Sequence, residues 1–253
     1  MLLVTVFFYK EPPREIEGVT LGKKFKDLKA ALSDVRFTVF LVLLGVFFWL
    51  PFWSFFNLCA LYVDSDVNTA SLYQDMEEIV GPAVAGAFSH EEDGVRKILG
   101  ETISHTGWVI MILQIPVSSI VQRFRALPAF MVGLFTSSVG FVILGFAHTS
   151  FAALIFLGIL FFATGEMISS PRIQEYITWI APKEKAGLYM GANFLSTMIG
   201  GLTSGLYTAL YGWFRDAGHP QAVWYVLAAN MIIGIGVLAL FTRVAGEFRE
   251  LEA

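Results

Sequence analysis

In the stretch LFFATGEMISSPRIQEYITWIAPKEKAGLYMG at residues 160–191, Glu166, Arg172 and Glu175 stand where an apolar run would otherwise continue, ahead of the charged APKEK. A charged side chain in a membrane helix costs about 2.5–3.5 kcal/mol on insertion scales, and faces a bundle interior or a wet cavity. If the helix begins near Phe151, Glu166 stands about 22 Å along it, somewhat past the middle of a bilayer. A carboxyl group there has two readings. It is a substrate or proton site, since an embedded acid can exchange a proton, or it is held neutral or paired for structural reasons. Arg172 and Glu175 are three residues apart and can pair on one helix face. That pair reads either as an interface anchor or as a gate at the helix end.

Other polar side chains at depth are Asn57, Gln114, Asn193 and Asn230. Each alone reads as an interhelical hydrogen bond, and a subset converging on Glu166 would form a cavity. Trp49, Phe52, Trp53 and Phe56 recur at helical spacing, as packing residues or as a cavity wall. Gly200, Gly201 and Gly205, with Ser196 and Ser204, make a small-residue face of the kind that packs helices closely. Pro51, Pro116 and Pro171 each remove a backbone hydrogen bond and can kink a helix. The four His residues (90, 105, 148, 219) are scattered, and no nucleophile–base pair, metal-ligand spacing or nucleotide-binding loop is present. The expectation is a non-enzyme with no cofactor. Basic residues without aromatic interleaving argue against nucleic acid. The single Cys59 lies in an apolar run and reads as a core thiol.

The elements that must position these residues follow from composition. Of 253 residues 56% are hydrophobic and 15% charged, and the mean hydropathy is +0.65. Soluble domains carry roughly 25% charged residues, so this chain has too few to cover a soluble surface. A bilayer core needs about 20 apolar residues as helix. Uncharged runs predict six spans, at about 37–62, 104–122, 128–147, 151–171, 187–211 and 221–242. Fourteen of the 17 basic residues fall on one side of those spans, leaving Arg96, Lys97 and Arg215 on the other. That asymmetry predicts both termini in the cytoplasm, and the expected location is integral to the plasma (inner) membrane.

Residues 20–36 carry Leu21, Phe25, Leu28, Leu32 and Val35 at spacings of three and four, with lysines between. They predict an amphipathic cytoplasmic connector on the membrane surface or the helix ends. Residues 64–103 form a long, acidic outer loop, expected to be solvated and partly helical. Its DSDVN imitates a calcium loop with Asp75 at the twelfth position, but Thr69 stands where such a loop needs glycine. The opening MLLVTVFFY, as helix, spans only about 13 Å and reads as the inner end of a preceding helix. Residues 243–253 form a cytoplasmic tail.

GEMISSP at 165–171, IAPKEK at 180–185 and YMGANFL at 189–195 resemble helices ten and eleven of the major facilitator superfamily, most similarly its proton-dependent oligopeptide transporter branch. SHTGWVIMILQIPVSSIVQRF at 104–124 resembles the eighth helix of that branch, with Pro116 at the matching proline. The resemblance covers 165–195 well and the six spans loosely. It implies an all-α polytopic fold of six transmembrane helices, arranged as two inverted three-helix repeats at 37–147 and 151–242 with a site near the midplane. Residues 1–36 would be the end of helix six and the central connector. Glu166 matches the tenth-helix glutamate that faces a substrate amino group in the branch. His105 stands where the branch usually has asparagine, and Asn193 where it has tryptophan. The first span lacks an acidic residue that many members carry. These departures point away from peptide and toward another small organic solute.

The resulting expectation is the C-terminal half of a secondary active transporter, working by alternating access with proton coupling as a symporter. Its partners would be a small solute, protons, lipid and an N-terminal six-helix half in the same or another chain. Glu166, His105, Asn193, Gln114, Asn57 and Trp53 are the candidate substrate or proton residues, and Arg172 with Glu175 the gate. The rival expectation is a truncated or assembly-only membrane protein that transports nothing.

Overall fold

The computed structural model describes residues 21–104, 106–147, 152–182 and 185–246. The expected helix end at 1–9 and all but the start of the tail lie outside them. Helix α1 (Leu21–Leu32) is followed by α2 (Val35–Leu44), a π-helical turn at Gly45–Trp49, and α3 (Leu50–Asp66). Then come α4 (Thr69–Val80), α5 (Pro82–Ala87), strands β1 (Ser89–Glu92) and β2 (Val95–Ile98), and α6 (Gly100–Ser104). The remainder is α7 (Gly107–Val121), α8 (Ala126–Phe146), α9 (Leu154–Ile180), α10 (Ala186–Thr203), α11 (Gly205–Asp216) and α12 (Ala222–Ala245).

Among the described residues five helical stretches are long and apolar enough to cross a membrane: Val35–Asp66, Gly100–Val121, α8, α9 and α12. The chain is an all-α polytopic membrane fold. The expected fifth span, 187–211, is covered by α10 and the first part of α11, which adjoin at Ser204, where the backbone keeps helical dihedrals (φ −59°, ψ −27°). There the Ser204 hydroxyl donates to the Gly201 carbonyl at 2.7 Å and the Thr203 hydroxyl to that of Ile199 at 2.6 Å. The expected fourth span stops too early at 171. Helix α9 has 27 residues, about 40 Å, and runs through Pro171 because Arg172 and Glu175 find partners instead of ending it.

Asp34 caps α2, its carboxylate accepting from the Arg36 and Phe37 amides at 2.9 Å and 3.4 Å. Arg36 Nη2 donates to the Gly246 carbonyl at 2.9 Å, joining the start of α2 to the end of α12. Within the first span, Pro51 has no N–H for the Phe47 carbonyl, and the π-turn at Gly45–Trp49 lies directly before it, with the Leu50 amide reaching back to the Gly45 carbonyl. π-Turns inside helices are local devices of this sort.

The core is aromatic. Phe55 stacks on Phe162 with ring centroids 3.8 Å apart, and Phe141 on Trp224 at 5.9 Å. Helices α8 and α9 meet backbone to backbone through Gly133, Ser137 and Gly140 facing Gly158, Gly165 and Ser169. A Cβ on Gly165 would lie 2.1 Å from Ser137 Oγ and 2.6 Å from the Gly133 carbonyl. On the expected small-residue face of 196–205, Gly200 does meet the backbone of Trp49 and Leu50, whereas Gly205 faces open space.

The 64–103 segment is more ordered than a solvated loop. Asn68 caps α4 through the Ser71 amide at 3.0 Å. The antiparallel β1–β2 hairpin turns at Asp93 and Gly94, both at positive φ (52° and 73°), as a two-residue turn requires. Asp64 and Asp66 have structural partners: Asp64 Oδ1 accepts from the Gly100 amide at 2.7 Å, and Asp66 takes the Tyr211 hydroxyl and lies 3.5 Å from Arg215 Nε. Helix α1 rests on the bundle, with Leu28 and Leu32 against the core and Asp27 3.8 Å from Lys185.

Candidate functional site

Glu166 lies 12 residues into α9, about 18 Å from Leu154, and is half-buried. The Thr106 hydroxyl, at the head of α7, donates to its Oε2 at 3.1 Å. Below this contact α7 and α9 share an apolar seam of Val109, Ala163 and Met167, flanked by Ile110, Leu113, Val117 and Leu160. Pro171 cannot donate to the Met167 carbonyl, so the backbone acceptor directly after Glu166 loses its helical partner.

At the far end of the seam Arg172, only 6% exposed, donates to both Glu175 and the Phe124 carbonyl beyond the end of α7. A cavity of about 250 Å³ lies beside it, lined by Ser118, Val121, Gln122, Met167, Pro171, Arg172 and Glu175. Gln114 Nε2 donates to Ser118 Oγ at 2.8 Å on the same helix. Of the expected site residues, the fold therefore gathers Glu166, Gln114, Arg172 and Glu175 along the α7–α9 contact. The helix pair is thus joined by polar contacts at both ends, Thr106 to Glu166 at one and Arg172 to the Phe124 carbonyl at the other.

Trp53 and Asn57 belong to a second locus. Trp53 is 37% exposed and walls a cavity of about 340 Å³ with Phe194, Thr197, Met198, Gly201 and Leu202. Asn57 Nδ2 donates to Ser204 Oγ at 2.9 Å, where α10 and α11 adjoin. Trp49 and Phe52, by contrast, are buried in the core. Asn193 does not line either cavity. It is 4% exposed and accepts from Ser196 Oγ at 3.0 Å, turned into packing because Ser196 is itself fully buried against the first span. Asn230 Nδ2 donates to the Tyr207 hydroxyl at 3.1 Å. His105 lies outside the described residues. Among the described residues no group of three His, Cys, Asp or Glu is placed to hold a metal ion.

Thr106, Ser118 and the Phe124 carbonyl were not among the expected site residues. Their sequence gives no polar pattern that points 48 or 60 residues down the chain, and a backbone carbonyl leaves no signal at all.

The arrangement is that of a transporter fold. A POT family transporter solved in complex with 5-aminolevulinic acid matches with a TM-score of 0.58 and 16% identity, over 96% of this chain and 50% of that one. A second, solved with a thioalcohol-conjugated peptide, matches with a TM-score of 0.52 and 18% identity over the same shares. The chain thus has the fold of half of a POT family transporter, as its motifs lead one to expect. Magnetosome protein MamH of Paramagnetospirillum magneticum is 30% identical over 148 residues, 58% of this chain and 33% of that protein. The chain spans half the length of those solved structures and a third of that relative. No protein-family model matches it.

Proposed function

We propose that this chain is the C-terminal half of a secondary active transporter that moves a small organic solute by alternating access, coupled to protons. Glu166 binds the solute or the proton, and Arg172 with Glu175 closes the cavity at the end that faces the cytoplasm. The observation that carries this reading is Glu166 itself. It is an acid in the middle of a membrane helix, and it accepts from the neutral Thr106 hydroxyl. A structural carboxylate at such depth would be expected to sit against a cation. The 14-to-3 division of basic residues in the sequence supports an orientation with residues 64–103 outside. The exposed Phe194, Met198 and Leu202 beside Trp53 support a missing partner, which an N-terminal half would supply. The plasma membrane is the proposed location. A magnetosome, carried by the name of one relative for that relative, is the alternative that fractionation would separate.

The solutes to try first are 5-aminolevulinic acid and a dipeptide, the ligand types named for the matching structures. The protein with its other half would be placed in liposomes under an inward proton gradient, and uptake compared with Glu166→Gln. Gradient-driven uptake abolished by the substitution supports the reading. Uptake indifferent to it makes Glu166 structural. No uptake of any solute, with intact folding, favours a protein that only assembles.

A further inference from the structure

The 64–103 segment holds a feature that transport does not use. Helices α4 and α5, Ile103, and the first turns of α7 and α9 enclose an apolar slot of about 300 Å³ whose lining includes Met76, Ile79, Val80, Val84, Trp108 and Phe156. Every lining residue is apolar or aromatic. Ile79, Val80 and Val84 are 72%, 45% and 44% exposed, and α5 (PAVAGA) has no polar side chain. In a water-facing loop that surface would be a liability.

We propose that α4 and α5 are seated at the boundary of headgroups and acyl chains, and that the slot holds a phospholipid acyl chain. Two placements support this. Trp108 and Phe156 stand at the second and third positions of α7 and α9, at the ends of those helices that border the slot, and a Trp near a helix end is a mark of the membrane interface. Trp108, Met111, Ile112 and Ile115 follow at i, i+3, i+4 and i+7 and are all exposed. They form one stripe that continues the slot down α7 toward the bilayer interior. On its other side α4 is fixed by the hairpin, with Arg96 Nη1 donating to the Tyr73 hydroxyl at 3.4 Å, so its apolar edge is left facing the membrane. A slot without a polar group offers a hydrocarbon chain full burial. It offers the backbone and polar side chains of a protein partner nothing to bond.

The test needs no transport activity. The protein with its other half is placed in vesicles of phosphatidylcholine carrying a photoreactive diazirine on the acyl chain, irradiated, and mapped by peptide mass spectrometry. Adducts are expected within 76–88 and at Trp108. Ile79→Glu with Val84→Glu, both at exposed positions, should reduce those adducts severalfold and leave those on exposed Ile232, Ile233 and Leu240 of α12 unchanged. Adducts on α12 but none within 76–88 would overturn the proposal. So would adducts that form on this chain alone and vanish once the other half is joined, since the other half would then cover the slot.

Discussion

Thr106 donates its hydroxyl to Glu166 at 3.1 Å across 60 residues of sequence, and this is the polar contact that joins the head of α7 to the middle of α9. A hydrogen bond to a charged group contributes about 1.5–3 kcal/mol. Thr106→Val keeps the shape and removes the donor, and should slow gradient-driven uptake by roughly tenfold, the equivalent of about 1.4 kcal/mol. Thr106→Ser should restore most of it. Equal uptake by the valine and wild-type proteins would sever Thr106 from the site.

Arg172 anchors the other end of the same helix pair through Glu175 and the Phe124 carbonyl. Removing one partner of a buried charge pair costs about 3–5 kcal/mol, and Glu175 is partly exposed, so Arg172→Met should cost about 3 kcal/mol. Hydrogen exchange at 122–124 should rise with it. Arg172→Lys should not rescue, because a single ammonium lacks the guanidinium fork that serves both acceptors.

Asp66 ties α11 to the first span through Tyr211 and Arg215. Helix α11 buries only Tyr211, so its position depends on such tethers more than on packing. Asp66→Ala should raise amide exchange across 205–216 by roughly tenfold, for a lost contribution of about 1–2 kcal/mol, while exchange in α8 stays as it was.

The α8–α9 seam tolerates no added carbon at Gly165, where backbone as well as side chain stands in the way. Gly165→Ala should cost about 3 kcal/mol as an overpacked core, read as a lower midpoint of thermal unfolding in detergent. Gly236→Ala in α12 is the control: nothing lies within 4 Å of a Cβ there, and the change should stabilise by about 0.5–1 kcal/mol.

The hairpin carries a pH-sensitive pair outside the membrane. Lys97 Nζ donates to Glu92 Oε2 at 2.8 Å. That hydrogen bond holds the Glu92 carboxyl below its ordinary range and pushes Lys97 above its own. A depressed acid stabilises the fold above its unfolded value and loses that contribution as pH falls through the folded one. The raised lysine contributes below its ordinary value and loses that as pH climbs through the folded one. The hairpin should therefore be best formed between those limits. Carbon-detected NMR should find Glu92 titrating lower than in Lys97→Ala, and identical titrations would remove the pair from the account.

Much of this was readable along the chain. The uncharged runs gave four of the spans to within a few residues and the start of a fifth, and α1 formed where the leucine spacing put it. Glu166 stood out because a lone acid in an apolar run is expensive in lipid. The β-hairpin was missed although EEDGVRKI carries the Asp-Gly signal, because the acidic composition around it reads as solvated loop.

The sequence by itself determined the membrane character, most of the apolar helical stretches and the placement of Glu166 within one of them, since these depend on local composition and helical period. The tertiary structure alone decided that Thr106 meets Glu166, that Arg172 reaches the Phe124 carbonyl, that Asn193 packs inward, and that the closest helix contact is α8 with α9 rather than along 196–205. Periodicity states which residues are oily on a given helix. It does not state which face meets which neighbour, because that is settled by shape and hydrogen bonding between segments tens of residues apart.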